Sequence, residues 1–359
     1  SVYDFFRNAA LDANSWVNNT GGVGKSVNTQ TDFGATFGGP VRIPHLYNGR
    51  DKTFFFFNYE GIRSKTETTQ IVNVPSPAEI SGDFSQSAQI IRDPSTQIPF
   101  AGNRIPTSQL DPVGAKIAAL YPAPNVPGRP SGSSNYRANQ LTDSPQNIYV
   151  ARVDHVFNDN NRLYGRFLGR TNPQVGGPIF PTPGIDSYNQ IVKTTDYDIA
   201  GTWTHSFTPA FINEARYSWD RRVANQWQGG LNVGLPTQLG LTGTNPAYFP
   251  RINITGLEAM GNASRQARYQ DPVMSHYFAD TMTKIAGNHT LKWGADYRYS
   301  SNLDYFYGTA GGSFSFTDVA TGSGLASLLL GWVNSASIQE DLPLKSRADT
   351  TSAFVQDVW

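Results

Sequence analysis

The chain has 359 residues with 28 basic and 28 acidic side chains, so it lacks the basic excess of a dedicated nucleic-acid binder. Aromatic residues make up 13% and charged residues only 16%, below the roughly one quarter usual for soluble domains, and 34 Gly and 23 Pro point to many turns. There is no cysteine, which excludes a disulfide framework, a Cys-zinc centre and a thiol nucleophile.

The longest apolar stretch, residues 325–333, is interrupted by Ser327 and Gly331. A helical span needs about 20 apolar residues, whereas a membrane-crossing strand needs only about 9–11 alternating ones. The chain starts at Ser1 without a signal-peptide pattern and ends at Val358-Trp359 inside a strand-like pattern, so it is read as a fragment.

Near the start, Gly21-Gly22-Val23-Gly24-Lys25-Ser26 imitates a phosphate-binding loop, but Asn19 stands where its first Gly belongs and no apolar strand precedes it. It reads as a flexible turn. Residues 31–41 and 52–63 read as strands, the second containing Phe54-Phe55-Phe56-Phe57, which places two rings on each face. Residues 65–74 read as a polar return strand, and residues 75–145 as a long excursion. Within it, Asp111 caps a short helix that has Pro112 at its first position and Val113, Ile117 and Leu120 on one face.

Clear period-two alternation follows. Residues 147–157 set Tyr149, Ala151, Val153, His155 and Phe157 against Arg152 and Asp154, then turn at Asn158-Asp159-Asn160-Asn161 into residues 162–170. Residues 195–207 and 211–222 form a second hairpin through Thr208-Pro209. Residues 273–285 and 291–299 form a third through Ala286-Gly287-Asn288. Between the hairpins lie long segments, about 172–190, 224–272 and 300–346, the last with a short helix expected over 323–330. Aromatic apolar faces, charged opposite faces, short turns on one rim and long loops on the other are the pattern of an outer-membrane barrel.

The ordered set of local motifs resembles the Oar-like TonB-dependent receptor barrels. It comprises Ser1-Val2-Tyr3-Asp4-Phe5-Phe6-Arg7-Asn8, Phe37-Gly38-Gly39-Pro40, Lys52-Thr53-Phe54-Phe55-Phe56, Tyr59-Glu60-Gly61 and Gly82-Asp83-Phe84-Ser85. It continues through Asp93-Pro94, Asn103-Arg104-Ile105-Pro106, Asp111-Pro112-Val113, Tyr121-Pro122-Ala123-Pro124-Asn125, Arg152-Val153-Asp154-His155 and 287–294 (Gly-Asn-His-Thr-Leu-Lys-Trp-Gly). The resemblance implies an all-β fold: an antiparallel transmembrane β-barrel, partial, roughly half of a large receptor barrel, with long extracellular loops and short periplasmic turns. It makes residues 1–8 the junction of plug and barrel and residues 9–359 partial barrel. The carboxypeptidase-regulatory-like sandwich, plug, TonB box and closing strands are expected outside this segment.

The function this implies is energy-coupled uptake of an unidentified ligand (oligosaccharide, peptide or siderophore) across a Gram-negative outer membrane, an acidobacterial source being one expectation. TonB and outer-membrane lipid are the partners. Two alternatives are a non-transporting adhesion or structural barrel and a soluble secreted β-sandwich binding carbohydrate. No catalytic residue, cofactor or metal ligand is nominated, and the substrate-binding residues are unknown.

By position, residues 75–145 and 224–272 are the candidates for ligand contact. His45, His155, His205, His276 and His289 show no helical zinc spacing, and three of them flank predicted turns as interfacial residues. Asp83, Asp93 and Asp111 read as turn and cap formers rather than calcium ligands. Arg152, Asp154, Arg162, Arg166, Asp196, Asp198, Glu214, Arg216, Lys292, Asp296 and Arg298 are expected to point inward. There they would contact a plug, neighbouring strands or lumen water, with a polar substrate route as the alternative.

Overall fold

The computed structural model describes residues 1–261, 268–306, 311–339 and 343–359. Parts of two expected loops, residues 262–267 in one and 307–310 with 340–342 in the other, lie outside the described residues. An antiparallel sheet of eleven strands forms one wall: β1 (Val2–Asn8), β2 (Asn28–Pro40), β3 (Thr53–Val72), β4 (Tyr136–Asp143), β5 (Gln146–Asn158), β6 (Asn161–Gly176), β7 (Gln190–Thr208), β8 (Phe211–Gln228), β9 (Arg268–Ala286), β10 (His289–Phe306) and β11 (Leu344–Val358). Sequence neighbours pair almost throughout. Among the described residues β1 pairs with β2 alone and β11 with β10 alone, so the wall is a partial ring of strands.

The three expected hairpins form where Asn, Pro and Gly place them. Asn158 is paired with Asn161, Thr208 with Phe211, and Ala286 with His289. In the first turn the Asn158 side chain accepts from the Asn160 N–H at 3.0 Å, and in the third Gly287 takes the left-handed φ of 62°.

The first third differs from the sequence reading. Residues 53–72 are a single strand of 20 residues, not a strand and a polar return. Its first half pairs with β5 and its second half with β4. β4 and β5 keep one register on β3 across Ser144-Pro145, and the Ser144 N–H still donates to Ser64 O at 2.8 Å. They act as one long strand, so the expected excursion ends at residue 135. At about 3.3 Å per residue β3 is about 66 Å long, well beyond what a bilayer core needs. Its Thr-rich second half, polar on both faces, lacks the hydrophobic alternation of the first.

The strands run between two unlike rims. One rim carries the three tight turns and a 12-residue excursion between β2 and β3. The opposite rim carries all five long connections, residues 9–27, 73–135, 177–189, 229–267 and 307–343. The long connections are not structureless. Four of them fold together into a cap that holds the buried apolar cluster of the described chain, including Phe84, Ile91, Ile117, Phe180, Ile252 and Leu328. The expected helices are present as Pro112–Ala118, capped by Asp111, and Gly324–Leu329. A small sheet joins Arg251–Ile254, Ser313–Phe316 and Ser335–Ser337. No helix among the described residues is long and apolar enough to cross a membrane, which says nothing of crossing by strands.

Candidate functional site

Register sorts the wall's side chains onto two faces. Opposite-neighbour pairs line up Tyr149 with Gly169, Phe167 with Ile199, Trp203 with Ala215, and Tyr217 with Phe278, giving a continuous aromatic and apolar face. Its rings touch across strands: Tyr217 and Phe278 have centroids 4.8 Å apart, and Phe207 and Phe211 4.7 Å. Phe157, Trp203, Phe207 and Phe278 remain 45–56% exposed, which costs heavily in water and nothing in lipid. The tetra-Phe run splits as its spacing requires. Phe55 and Phe57 join this face, while Phe54 and Phe56 sit opposite Asp154 and Arg152 on the other.

Most of the charges expected on the second face lie there in neighbouring pairs. Arg152 grips Asp154 through two bonds of 2.7 Å and stacks over Tyr164 at 4.4 Å. Arg166 reaches Asp198 at 2.5 Å, and Arg170 donates to Asp196 at 2.8 Å. Arg216 pairs with Glu214, Asp296 accepts from Ser352, and Arg298 lies over Tyr277 at 5.2 Å. Arg162 and Lys292 make no ion pair among the described residues. Adjacent strands thus satisfy most of these groups, leaving a polar but locally neutral surface.

The histidines are spread out. Nδ1 of His155 lies 2.6 Å from Thr53 Oγ1, Nδ1 of His205 2.8 Å from Asn161, and His289 2.8 Å from Asp357, all beside the short-turn rim. His276 meets Tyr217 on the aromatic face, and no group of three or more His, Cys, Asp or Glu among the described residues could hold a metal. The loop that imitates a phosphate cradle is otherwise engaged: Lys25 Nζ donates to the carbonyls of Ala9 (2.7 Å) and Asp12 (2.6 Å). Asp83 accepts from Ser85 N–H and pairs with Arg104. Asp93 accepts from Ser95 and Thr96, and Asp111 from Val113 and Gly114. Hydrogen bonds from Ser85, joined by Arg104, hold the Asp83 carboxyl below its ordinary range.

Among the described residues the one fully buried charged side chain, Asp186, lies in the cap near the part-buried Arg251 and Glu258, and sequence reasoning missed the group. Asp186 is fully buried and accepts four backbone N–H bonds, from Ile179, Phe180, Tyr188 and Asn189, at 3.0–3.1 Å. Burial raises its carboxyl above the ordinary value while the four donors pull it back. Nearby, Arg251 donates to Asn253 at 3.0 Å and to Gly261 O at 2.6 Å. The Tyr121 hydroxyl donates to Glu258 O at 2.5 Å. Burial lowers Arg251 and raises both the Tyr121 phenol and the Glu258 carboxyl, Arg251 partly offsetting the last. Only the Pro181-Thr182-Pro183-Gly184 turn before Ile185-Asp186 hinted at a fixed loop. The cap has a recess of about 500 Å³ lined by Ser76, Glu79, Asp83, Ser131, Thr255 and Leu257, among others. It draws on both loop regions nominated from sequence. The surface is concave and hydroxyl-rich, a form suited to binding, and its Ser76–Glu79 pair is engaged as the capping box of a short helix.

Comparison with known proteins adds three findings. The whole chain, residues 1–359, matches the model of a family described as "Outer membrane beta barrel domain". The fold is similar to that of the outer membrane transporter YddB from Escherichia coli, with a TM-score of 0.51 and 10% identity over 99% of this chain and 36% of that one. The siderophore receptor PiuA from Acinetobacter baumannii gives a TM-score of 0.41 and 8% identity over 99% and 41% of the respective chains. This chain therefore spans well under half the length of either structure. No curated protein matches it.

Proposed function

Because the chain belongs to the outer membrane β-barrel domain family, we propose that it forms part of the wall of a TonB-dependent, ligand-gated transporter. The observation that carries this reading is the cap. Four long connections share one apolar core and present a recess at the rim opposite the tight turns. A rigid vestibule in that place suits ligand capture ahead of the polar face of the wall. In this reading ligand meets the cap first. TonB, acting through a plug outside this segment, then opens the passage, and residues 1–8 lead from plug to wall. The finer Oar-like assignment, with its carboxypeptidase-regulatory-like domain, rests on the ordered motifs and is part of the proposal.

The test is genetic. Strains lacking either this gene or tonB are grown on maltodextrins, on peptides, or on siderophore-bound iron as sole source. Loss of growth on one class in both strains supports transport. Unaltered growth of the gene-deleted strain on every class, with the protein found at the surface of the parent strain, replaces transport by the non-transporting surface barrel.

A further inference from the structure

The tight-turn rim has one exception to its economy. Between β2 and β3 the chain runs out for 12 residues as a small hairpin, Arg42–Ile43 paired with Tyr47–Asn48. Its tip turns at Pro44-His45, where Leu46 N–H donates to Ile43 O at 3.1 Å and His45 takes a φ of 58°. The excursion is held rather than loose. Tyr47 Oη lies 2.5 Å from Thr53 Oγ1, which in turn lies 2.6 Å from His155 Nδ1 on the wall. Gly49 is buried, and a Cβ there would meet the Tyr47 ring and Val41 O at 2.7 Å.

This hairpin presents Ile43 (47% exposed) and Leu46 (80%) to the outside. Around them stand Arg42, Arg50 and Lys52, against a single acid, Asp51. Among the described residues none of the three cations makes an ion pair, although the arginines along the polar face are mostly paired. An apolar tip ringed by such cations, joined to the wall where Val156 N–H donates to Lys52 O beside the exposed Phe157, has the composition of an interfacial anchor. We propose that the hairpin of residues 41–52 docks into the membrane interface at the short-turn rim and binds the headgroups of anionic phospholipids. Ile43 and Leu46 enter the acyl boundary while Arg42, Arg50 and Lys52 take the phosphates as charge-assisted hydrogen-bond partners. This rests on the reading that the wall spans the membrane.

The experiment uses the full-length protein in nanodiscs of phosphatidylcholine alone or mixed with phosphatidylglycerol, with amide hydrogen exchange read over residues 41–52. Exchange is expected to slow on the order of tenfold in the anionic discs, and the difference to vanish at high salt and in R42E/R50E. L46S is expected to weaken protection in both lipid compositions. Equal exchange in the two compositions overturns the proposal, as does protection that survives R42E/R50E or appears only on adding an acidic periplasmic protein. Should R42E/R50E not assemble, the salt titration of the unaltered protein decides, and salt-insensitive protection overturns the proposal. Failure of the membrane reading looks different: the unaltered protein then enters neither disc.

Discussion

Phe167 stands opposite Ala151 and Ile199, stacks on Tyr197 at 6.3 Å, and lies about halfway along the part of β6 that a bilayer would cover. A cation there tests which medium the aromatic face meets. Phe167→Arg is expected to destabilise the membrane-inserted protein by about 2–4 kcal/mol, read by unfolding in lipid vesicles. Glu258 tests the cap instead. Its carboxyl is raised in the folded state by burial, so its contribution to stability is full below the unfolded value and is lost as pH rises through the raised one. The cap should therefore grow more susceptible to protease as pH climbs through that window, and Glu258→Gln should flatten the profile. A protease profile in Glu258→Gln that matches the unaltered protein would remove Glu258 from the account.

Among the elements, the helices Pro112–Ala118 and Gly324–Leu329 cross at Gly114, where an added Cβ would sit 2.1 Å from Leu328 O. Gly114→Val must part them, at a cost of about 1–3 kcal/mol or more. The expected outcome is faster proteolysis of the cap with the wall's heat-modifiable gel mobility retained. The three hairpins were legible from sequence because period-two patterning stops at residues that turn the chain, at Asn158, Pro209 and Gly287. The continuity of β3 is not legible because Ser64 to Gln70 are polar on both faces, and a strand with no apolar side shows no alternation to follow. The cap was illegible for another reason. Phe84, Ile91, Phe180 and Phe249 follow no period, since each packs against segments far away in sequence. The charged face was readable as charged, but its pairing into Arg166–Asp198 and Arg170–Asp196 depends on strand register. Asp186 looked like any loop acid, because its role consists of backbone N–H groups that no pattern displays.

At the scale of the whole molecule, β1 and β11 each leave one edge of N–H and C=O groups without a strand partner among the described residues, and every residue of β11 is exposed. Residues 1–359 expressed by themselves are expected to aggregate or to require detergent, checked by size-exclusion chromatography with light scattering. A monodisperse detergent-free monomer would contradict the membrane reading. The cap also dictates an order of events in time. Arg92 N–H bonds Thr321 O at 2.9 Å, Asp111 N–H bonds Leu329 O at 2.7 Å, and Gln97 bonds Ala320 O at 3.1 Å, all across more than 200 residues of chain. The early connection, residues 73–135, thus has no finished core until the late one, residues 307–343, has been delivered. Strands can zip to their neighbours one by one, but the core of the cap closes only when both connections are in place.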